Sequence, residues 1–290
     1  MLGELNMKSI IKMACMAFVL STSVAQAQHA GHGGAPKGAV APAWTAYPMV
    51  MSGGGFSRSG AKFQAFNMHA MDATSYASFD GQTAEDLNKA TLPLTVDENG
   101  AVAVKSGAKG GYYVLRVTGH GPGGEVATAT TLKYFSNPGP APRDLLNIAR
   151  PGFEIMPAVL PREHAHYREN ETWPFQVRMD GKPVAGLPVV LETSNGTKSE
   201  YVTKANGSVD VTFPGDFKDI PKDQWRHGRP PASKFVVAVR DGGLLATYND
   251  SYNLDAYDDK NLWAGVGFAV LGMVAAVPLV RRRKTDKKGA

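Results

Sequence analysis

The sequence predicts an all-β chain: two consecutive immunoglobulin-like β-sandwich domains, preceded by an N-terminal signal helix and followed by one C-terminal transmembrane helix. Three observations predict this. Short runs of β-branched and aromatic residues recur through the middle of the chain, separated by Gly, Asn, Asp and Pro. The long apolar runs are confined to the two ends. Between the two groups of strand-like runs lies Asn137-Pro138-Gly139-Pro140-Ala141-Pro142, where each proline removes a backbone donor and restricts the residue before it.

From the N-terminus, Met7-Lys8-Ser9-Ile10-Ile11-Lys12 supplies a basic region, Met13 to Leu20 an apolar core, and Ala25-Gln26-Ala27 small residues for cleavage. Residues 1–27 therefore read as a signal peptide. The apolar core is too short to span a bilayer. Residues 28–43 are Gly, Ala, Pro and His with little to pack, and read as a flexible arm.

The first sandwich is expected over residues 44–137. Its strand-like runs are Ala61 to Asn67, Leu92 to Val96, Ala101 to Val104, Tyr112 to Gly119 and Val126 to Phe135. Asp97-Glu98-Asn99-Gly100 is a hairpin-type turn, because Asn-Gly accommodates positive φ. Thr83 to Ala90 is a short helical candidate. Residues 138–149 read as a Pro-rich linker.

The second sandwich, residues 150–255, contains Phe153 to Met156, Trp173 to Met179, Pro188 to Glu192, Glu200 to Thr203, Val209 to Phe213, Phe235 to Arg240 and Leu244 to Asn249. About seven strands in about 100 residues is the density of an immunoglobulin-like sandwich. Asp180-Gly181-Lys182 and Ala205-Asn206-Gly207-Ser208 mark turns.

Residues 262–280 carry no charge, and at about 1.5 Å per helical residue they nearly cross a hydrocarbon core of about 30 Å. Asp255, Asp258 and Asp259 precede this segment and Arg281-Arg282-Arg283-Lys284 follow it. The positive-inside rule then places the basic tail, residues 281–290, in the cytoplasm. The expected location is an inner-membrane anchor with the bulk of the chain periplasmic.

Composition narrows the function classes. Of 31 basic and 26 acidic residues, the tail takes six and one and the signal two and one, leaving 23 and 24. The net charge of +5 is thus a property of the anchor, and nucleic acid is not an expected partner. Cys15, the only cysteine, lies in the signal, so the mature chain has no disulfide and no thiolate ligand. No Gly-x-Ser-x-Gly elbow, His-Glu-x-x-His motif, phosphate loop or dinucleotide fingerprint occurs. The chain reads as a non-enzyme without a small organic cofactor.

Metal ligation would fall to His, Met, Asp or Glu, and three constellations offer it. His29-Ala30-Gly31-His32 puts two imidazoles on the arm. If cleavage follows Ala27, His29 is the second mature residue, and the new amine, the intervening amide and the ring can chelate copper or nickel in a plane. Met68-His69-Ala70-Met71, with Met49-Val50-Met51 upstream, joins imidazole to soft thioethers that favour Cu(I); on a regular strand His69 and Met71 share a face. Methionine is also an ordinary core filler. His164-Ala165-His166, flanked by Glu163 and Glu169, places both rings on one side of an extended segment. His120 and His227 read as loop residues.

Phe175-Gln176-Val177-Arg178-Met179-Asp180-Gly181-Lys182-Pro183-Val184-Ala185-Gly186-Leu187-Pro188-Val189, then Tyr201-Val202-Thr203-Lys204-Ala205-Asn206-Gly207-Ser208-Val209-Asp210-Val211, form a recognisable pattern. It resembles exported proteins with an uncharacterised two-sandwich domain, described as the periplasmic component of nickel and cobalt uptake systems. The match in layout covers residues 44–280, and in sequence about 150–255. The resemblance implies a membrane-anchored accessory protein that binds nickel or cobalt for a metal transporter. The methionine content keeps copper open, and a structural or adhesive module without metal is the alternative.

Overall fold

The computed structural model describes residues 42–53, 60–105, 111–135, 141–161, 167–218, 220–221, 223, 225, 231–254, 271–273 and 276–277. The signal segment, residues 1–27, and most of the 262–280 segment lie outside the described residues. Among the described residues no helix is long and apolar enough to cross a membrane.

The regular structure of the described chain is almost all strand. The first half contributes β1 (Met49–Ser52), β2 (Gly60–Phe66), β3 (His69–Ala77), β4 (Thr91–Leu94), β5 (Ala101–Lys105), β6 (Tyr112–His120) and β7 (Val126–Tyr134), with a one-turn helix α1 (Leu87–Ala90). Helix α2 (Arg143–Asn147) leads into the second half. There β8 (Phe153–Pro157), β9 (Tyr167–Arg168), β10 (Thr172–Met179), β11 (Lys182–Pro183), β12 (Pro188–Thr193), β13 (Lys198–Val202), β14 (Ser208–Thr212), β15 (Ala232–Asp241) and β16 (Leu244–Asn253) follow.

The two halves expected as consecutive sandwiches share a sheet. One large sheet runs in the order β13-β12-β15-β16-β7-β6-β3-β4, with β9 also on β16. The junction is a parallel ladder in which Leu244 to Tyr248 of β16 run alongside Val126 to Thr130 of β7. Contacts place both halves in one compact unit.

Smaller sheets cover opposite faces of the large one. On one face the three-stranded sheet β1-β2-β5 packs Phe63, Val102 and Val104 against Ala73, Tyr113, Leu115, Val117 and Ala129. On the other, β8, β10, β11 and β14 pack Ile155, Phe175, Val177, Val211 and Phe213 against Val189, Leu191, Phe235, Val237, Tyr248 and Tyr252. Aromatic rings knit this second core: Phe213 meets Phe235 edge-on at 4.7 Å and Tyr167 at 5.0 Å.

The turns follow local chemistry. Asp97 accepts the amides of Asn99 and Ala101 with Oδ1, which closes the turn between Val96 and β5. Gly207 has φ +72°, and a Cβ there would lie 2.8 Å from the Val184 amide nitrogen, so the Asn206-Gly207 turn demands glycine on two counts. The expected linker, in its described part, is core: Leu145, Leu146 and Ile148 of the α2 region are fully or almost fully buried.

Candidate metal centre

β3 enters the large sheet through an irregularity that decides where its histidine goes. Asn67, at φ +58°, donates its side-chain amide to the carbonyls of Thr45 and Tyr47 at 3.2 and 3.0 Å, tying the start of β3 to the segment before β1. Ala70 then adopts φ +49°, an uncommon conformation for a residue with a Cβ. The β3–β6 register shifts between His69 and Asp72: His69 lies opposite His120, and Asp72 opposite Thr118. This is a β-bulge with one extra residue on β3. Gly119 makes room for it, since a Cβ at that position would lie 2.6 Å from the His69 carbonyl oxygen.

The bulge splits the Met68-His69-Ala70-Met71 group. His69 is exposed and stacks on the exposed His120, with ring centroids 5.5 Å apart and planes 28° from parallel. Met71 instead packs against the core that holds Val117 and Ala73, its side chain running beside Gly119 and Gly100. Met68 packs toward Ala127, Ala238, Leu245 and Tyr47. The expectation that His69 and Met71 share a face assumes regular alternation, and the extra residue at the bulge cancels it. Met49 is buried, 1% exposed, and the Met51 sulfur lies 4.0 Å from Lys234 Nζ. These methionines fill space in the described structure.

His29, His32, His164 and His166 lie outside the described residues, and so does His227. Glu169 is described. It is buried, and its carboxylate accepts the Phe217 amide at 3.2 Å, an arrangement that holds a loop.

His120 is the residue that sequence reasoning passed over. Between two glycines at the end of a strand it reads as a loop residue. Its significance comes from the non-local β3–β6 pairing, whose register includes a bulge that composition does not announce. The available signal was Gly119, a glycine at the end of a strand pattern, which marks a close backbone approach.

Two imidazoles on neighbouring strands offer nitrogen donors of the kind that Ni(II), Co(II), Cu(II) and Zn(II) take, at about 2.0–2.1 Å in the zinc case. The pair would provide two ligands, and water or other donors the rest. Among the described residues no group of three or more His, Cys, Asp or Glu gathers in metal-binding geometry.

A second polar cluster lies at the heart of the second core. Asp250 accepts from Tyr248 Oη at 3.3 Å and from the Ser251 amide at 2.8 Å. Burial pushes its carboxyl up to about 7, against the pull of these hydrogen bonds and of Lys133. Burial likewise raises the phenols of Tyr167 and Tyr248. No group of three or more His, Cys, Asp or Glu gathers there among the described residues.

No family model matches the chain, and no curated protein does. Solved structures do. A tetra-tandem repeat from the extending region of a large adhesion protein is 10% identical, with 73% of this chain and 50% of that one covered and a TM-score of 0.25. Murine CEACAM1b is 10% identical over 72% and 98%, TM-score 0.18. The β-glucuronidase of Parabacteroides merdae is 13% identical over 71% and 24%, TM-score 0.21. The chain spans about half the length of the first solved structures it matches. Nothing about activity, ligand or partner follows from likenesses this slight.

Proposed function

We propose that this chain is a membrane-anchored periplasmic protein that binds a transition-metal ion reversibly and presents it to an uptake or handling system, without bond making or breaking. The observation that carries the reading is the cross-strand pair His69–His120, two exposed imidazoles held side by side by a bulge and a glycine. The signal pattern of residues 1–27 and the uncharged run 262–280 followed by four basic residues support the location. The seven-strand density and the packed sheets of the second half support an immunoglobulin-like sandwich there. Nitrogen ligands without described thioether partners favour nickel or cobalt over Cu(I).

The test is calorimetric titration of the full chain in mild detergent with Ni(II), Co(II), Cu(II) and Cu(I), beside three paired variants: His69→Ala/His120→Ala, His29→Ala/His32→Ala and His164→Ala/His166→Ala. The expected result is one ion bound with nickel or cobalt, with affinity falling at least about tenfold, or about 1.4 kcal/mol, in the first pair. Binding no tighter than about 1 mM for every ion would refute the metal reading and leave an anchored structural or adhesive module. Tight binding that only the second or third pair abolishes would move the site away from β3 and β6.

A further inference from the structure

We infer that the chain holds a small monovalent anion, of chloride size, inside the fold against Arg116 and Thr130. Arg116 of β6 and Thr130 of β7 are directly opposite each other in the antiparallel ladder, so both side chains leave the same face of the large sheet. This is the face covered by α2 and β8. Arg116 is 5% exposed and Thr130 1%. Arg116 Nε and Nη1 and Thr130 Oγ1 are all buried without a hydrogen-bond partner. Three donors from adjacent strands thus project into the interior with nothing to receive them.

A guanidinium cannot escape by deprotonating, and an unpaired buried charge is among the most costly groups a fold can contain. The neighbouring charges do not supply the missing partner. Glu154 is fully buried, and its Oε2 accepts from Arg150 Nε at 2.8 Å, while its Oε1 makes no hydrogen bond and is ion-paired at 3.8 Å with Arg178 Nη1. Arg150 also donates to the Leu145 carbonyl at 2.9 Å, and Arg178 donates to that of Leu146 at 3.0 Å. Two of the three guanidiniums are therefore satisfied by one carboxylate and the end of α2. Arg116 is left over, so the neighbourhood has a positive excess.

Gly152 lies at the edge of this region. Its φ is +79°, and a Cβ there would come within 3.1 Å of Arg116 Nη2. The missing side chain keeps the guanidinium's approach open. Water would satisfy the donors but leave the charge, whereas an anion satisfies both.

The full chain in mild detergent, exchanged into sodium gluconate, would be titrated with sodium chloride at constant ionic strength and followed by thermal unfolding and by chlorine-35 NMR linewidth. Crystals soaked in bromide would locate the ion by anomalous scattering. The expected results are a saturable rise in Tm with chloride and a bromide peak within hydrogen-bond distance of Arg116 Nε. Apparent affinity should fall at least about tenfold in Arg116→Met and about fivefold in Thr130→Val. Arg240→Met, which removes a guanidinium paired with Glu125 in another part of the fold, should leave it unchanged. If Arg116→Met does not fold, Thr130→Val and the bromide map still decide. A chloride effect no larger than that of gluconate, equal retention of it in Thr130→Val, or an Arg116 turned onto Glu154 Oε1 with no bromide beside it, would overturn the inference.

Discussion

Asn249 in the middle of β16 holds β1 to the large sheet by its side chain alone. Its Oδ1 accepts the Val50 amide at 2.9 Å and its Nδ2 donates to the Val50 carbonyl at 2.8 Å, both in the interior. A strand pairing is thereby imitated by one carboxamide. Asn249→Ala strips both partners from Val50, whose residue exposure is 0%. Each orphaned backbone group costs about 1–3 kcal/mol, so the loss should be about 2–6 kcal/mol. In a unit of this size each kcal/mol shifts Tm by about 2–4 °C, giving a fall of about 4–24 °C. Thr247 Oγ1, which donates to the Pro48 carbonyl at 2.8 Å, should keep β1 near its place. The damage should therefore be local, and hydrogen exchange at the Val50 amide should accelerate more than at Leu115. Asn249→Asp separates geometry from chemistry. Near neutral pH the carboxylate still accepts the Val50 amide but faces the Val50 carbonyl with a charge, whereas at low pH the protonated group can donate to it. Stability should then recover relative to Asn249→Ala as pH falls. A loss below about 0.5 kcal/mol in Asn249→Ala, the size of an ordinary surface substitution, together with unchanged Val50 exchange, would refute the reasoning.

Three further outcomes follow from the same structure. Burial raises the Asp250 carboxyl from 3.8 to about 7, so between those values the folded chain holds a proton that the unfolded chain has released. This group's contribution is most favourable below about pH 4 and weakens as pH rises to about 7. Asp250→Asn should raise Tm at pH 8 and flatten that stretch; a Tm that follows the parent at both pH 5 and pH 8 contradicts it. Gly119→Ala sets a Cβ 2.6 Å from the His69 carbonyl, and should cost about 1–3 kcal/mol while weakening metal binding at His69–His120; unchanged affinity would show that the bulge does not position the pair. Phe213→Ala removes a fully buried ring that contacts Phe235, Tyr167 and Tyr252, and should cost about 3–5 kcal/mol by urea unfolding, a value that surface placement of the ring would not produce.

What composition and alternation could reveal was local. Ala61 to Asn67, Ala101 to Val104, Tyr112 to Gly119 and Phe153 to Met156 are strands within a residue or so of where the pattern puts them. The exposed-buried alternation of β14 is plain in Ser208-Val209-Asp210-Val211-Thr212. β3 was not legible, because His-Ala-Met-Asp-Ala-Thr-Ser-Tyr-Ala has few large apolar residues and its alternation is broken by the bulge. The helix expected over Thr83 to Ala90 shrinks to Leu87–Ala90, preceded by a turn in which Asp86 accepts the Thr83 amide at 2.9 Å. The His69–His120 pair and the orphaned Arg116 were illegible for one reason. Both depend on which strands are neighbours, which the local run Val114-Leu115-Arg116-Val117 does not carry.

The physics of β7 explains why the halves are joined. Val126-Ala127-Thr128-Ala129-Thr130-Thr131-Leu132 has threonine at three of its seven positions. Thr128, Thr130 and Thr131 are nevertheless all buried, at 5%, 1% and 7%. A strand buried on both sides is a central strand, and here β6 flanks it on one edge and β16 on the other. Threonine serves such a position because its hydroxyl can be satisfied internally, as when Thr131 Oγ1 donates to the Asn249 carbonyl at 2.9 Å. With Leu244 to Tyr248 paired in parallel to Val126 to Thr130, relative motion of the halves would break backbone ladder bonds in a dry interior. The prolines before Arg143 therefore connect two halves of one folded unit, and a metal ion at His69–His120 would sit on a sheet that runs without interruption into the second core.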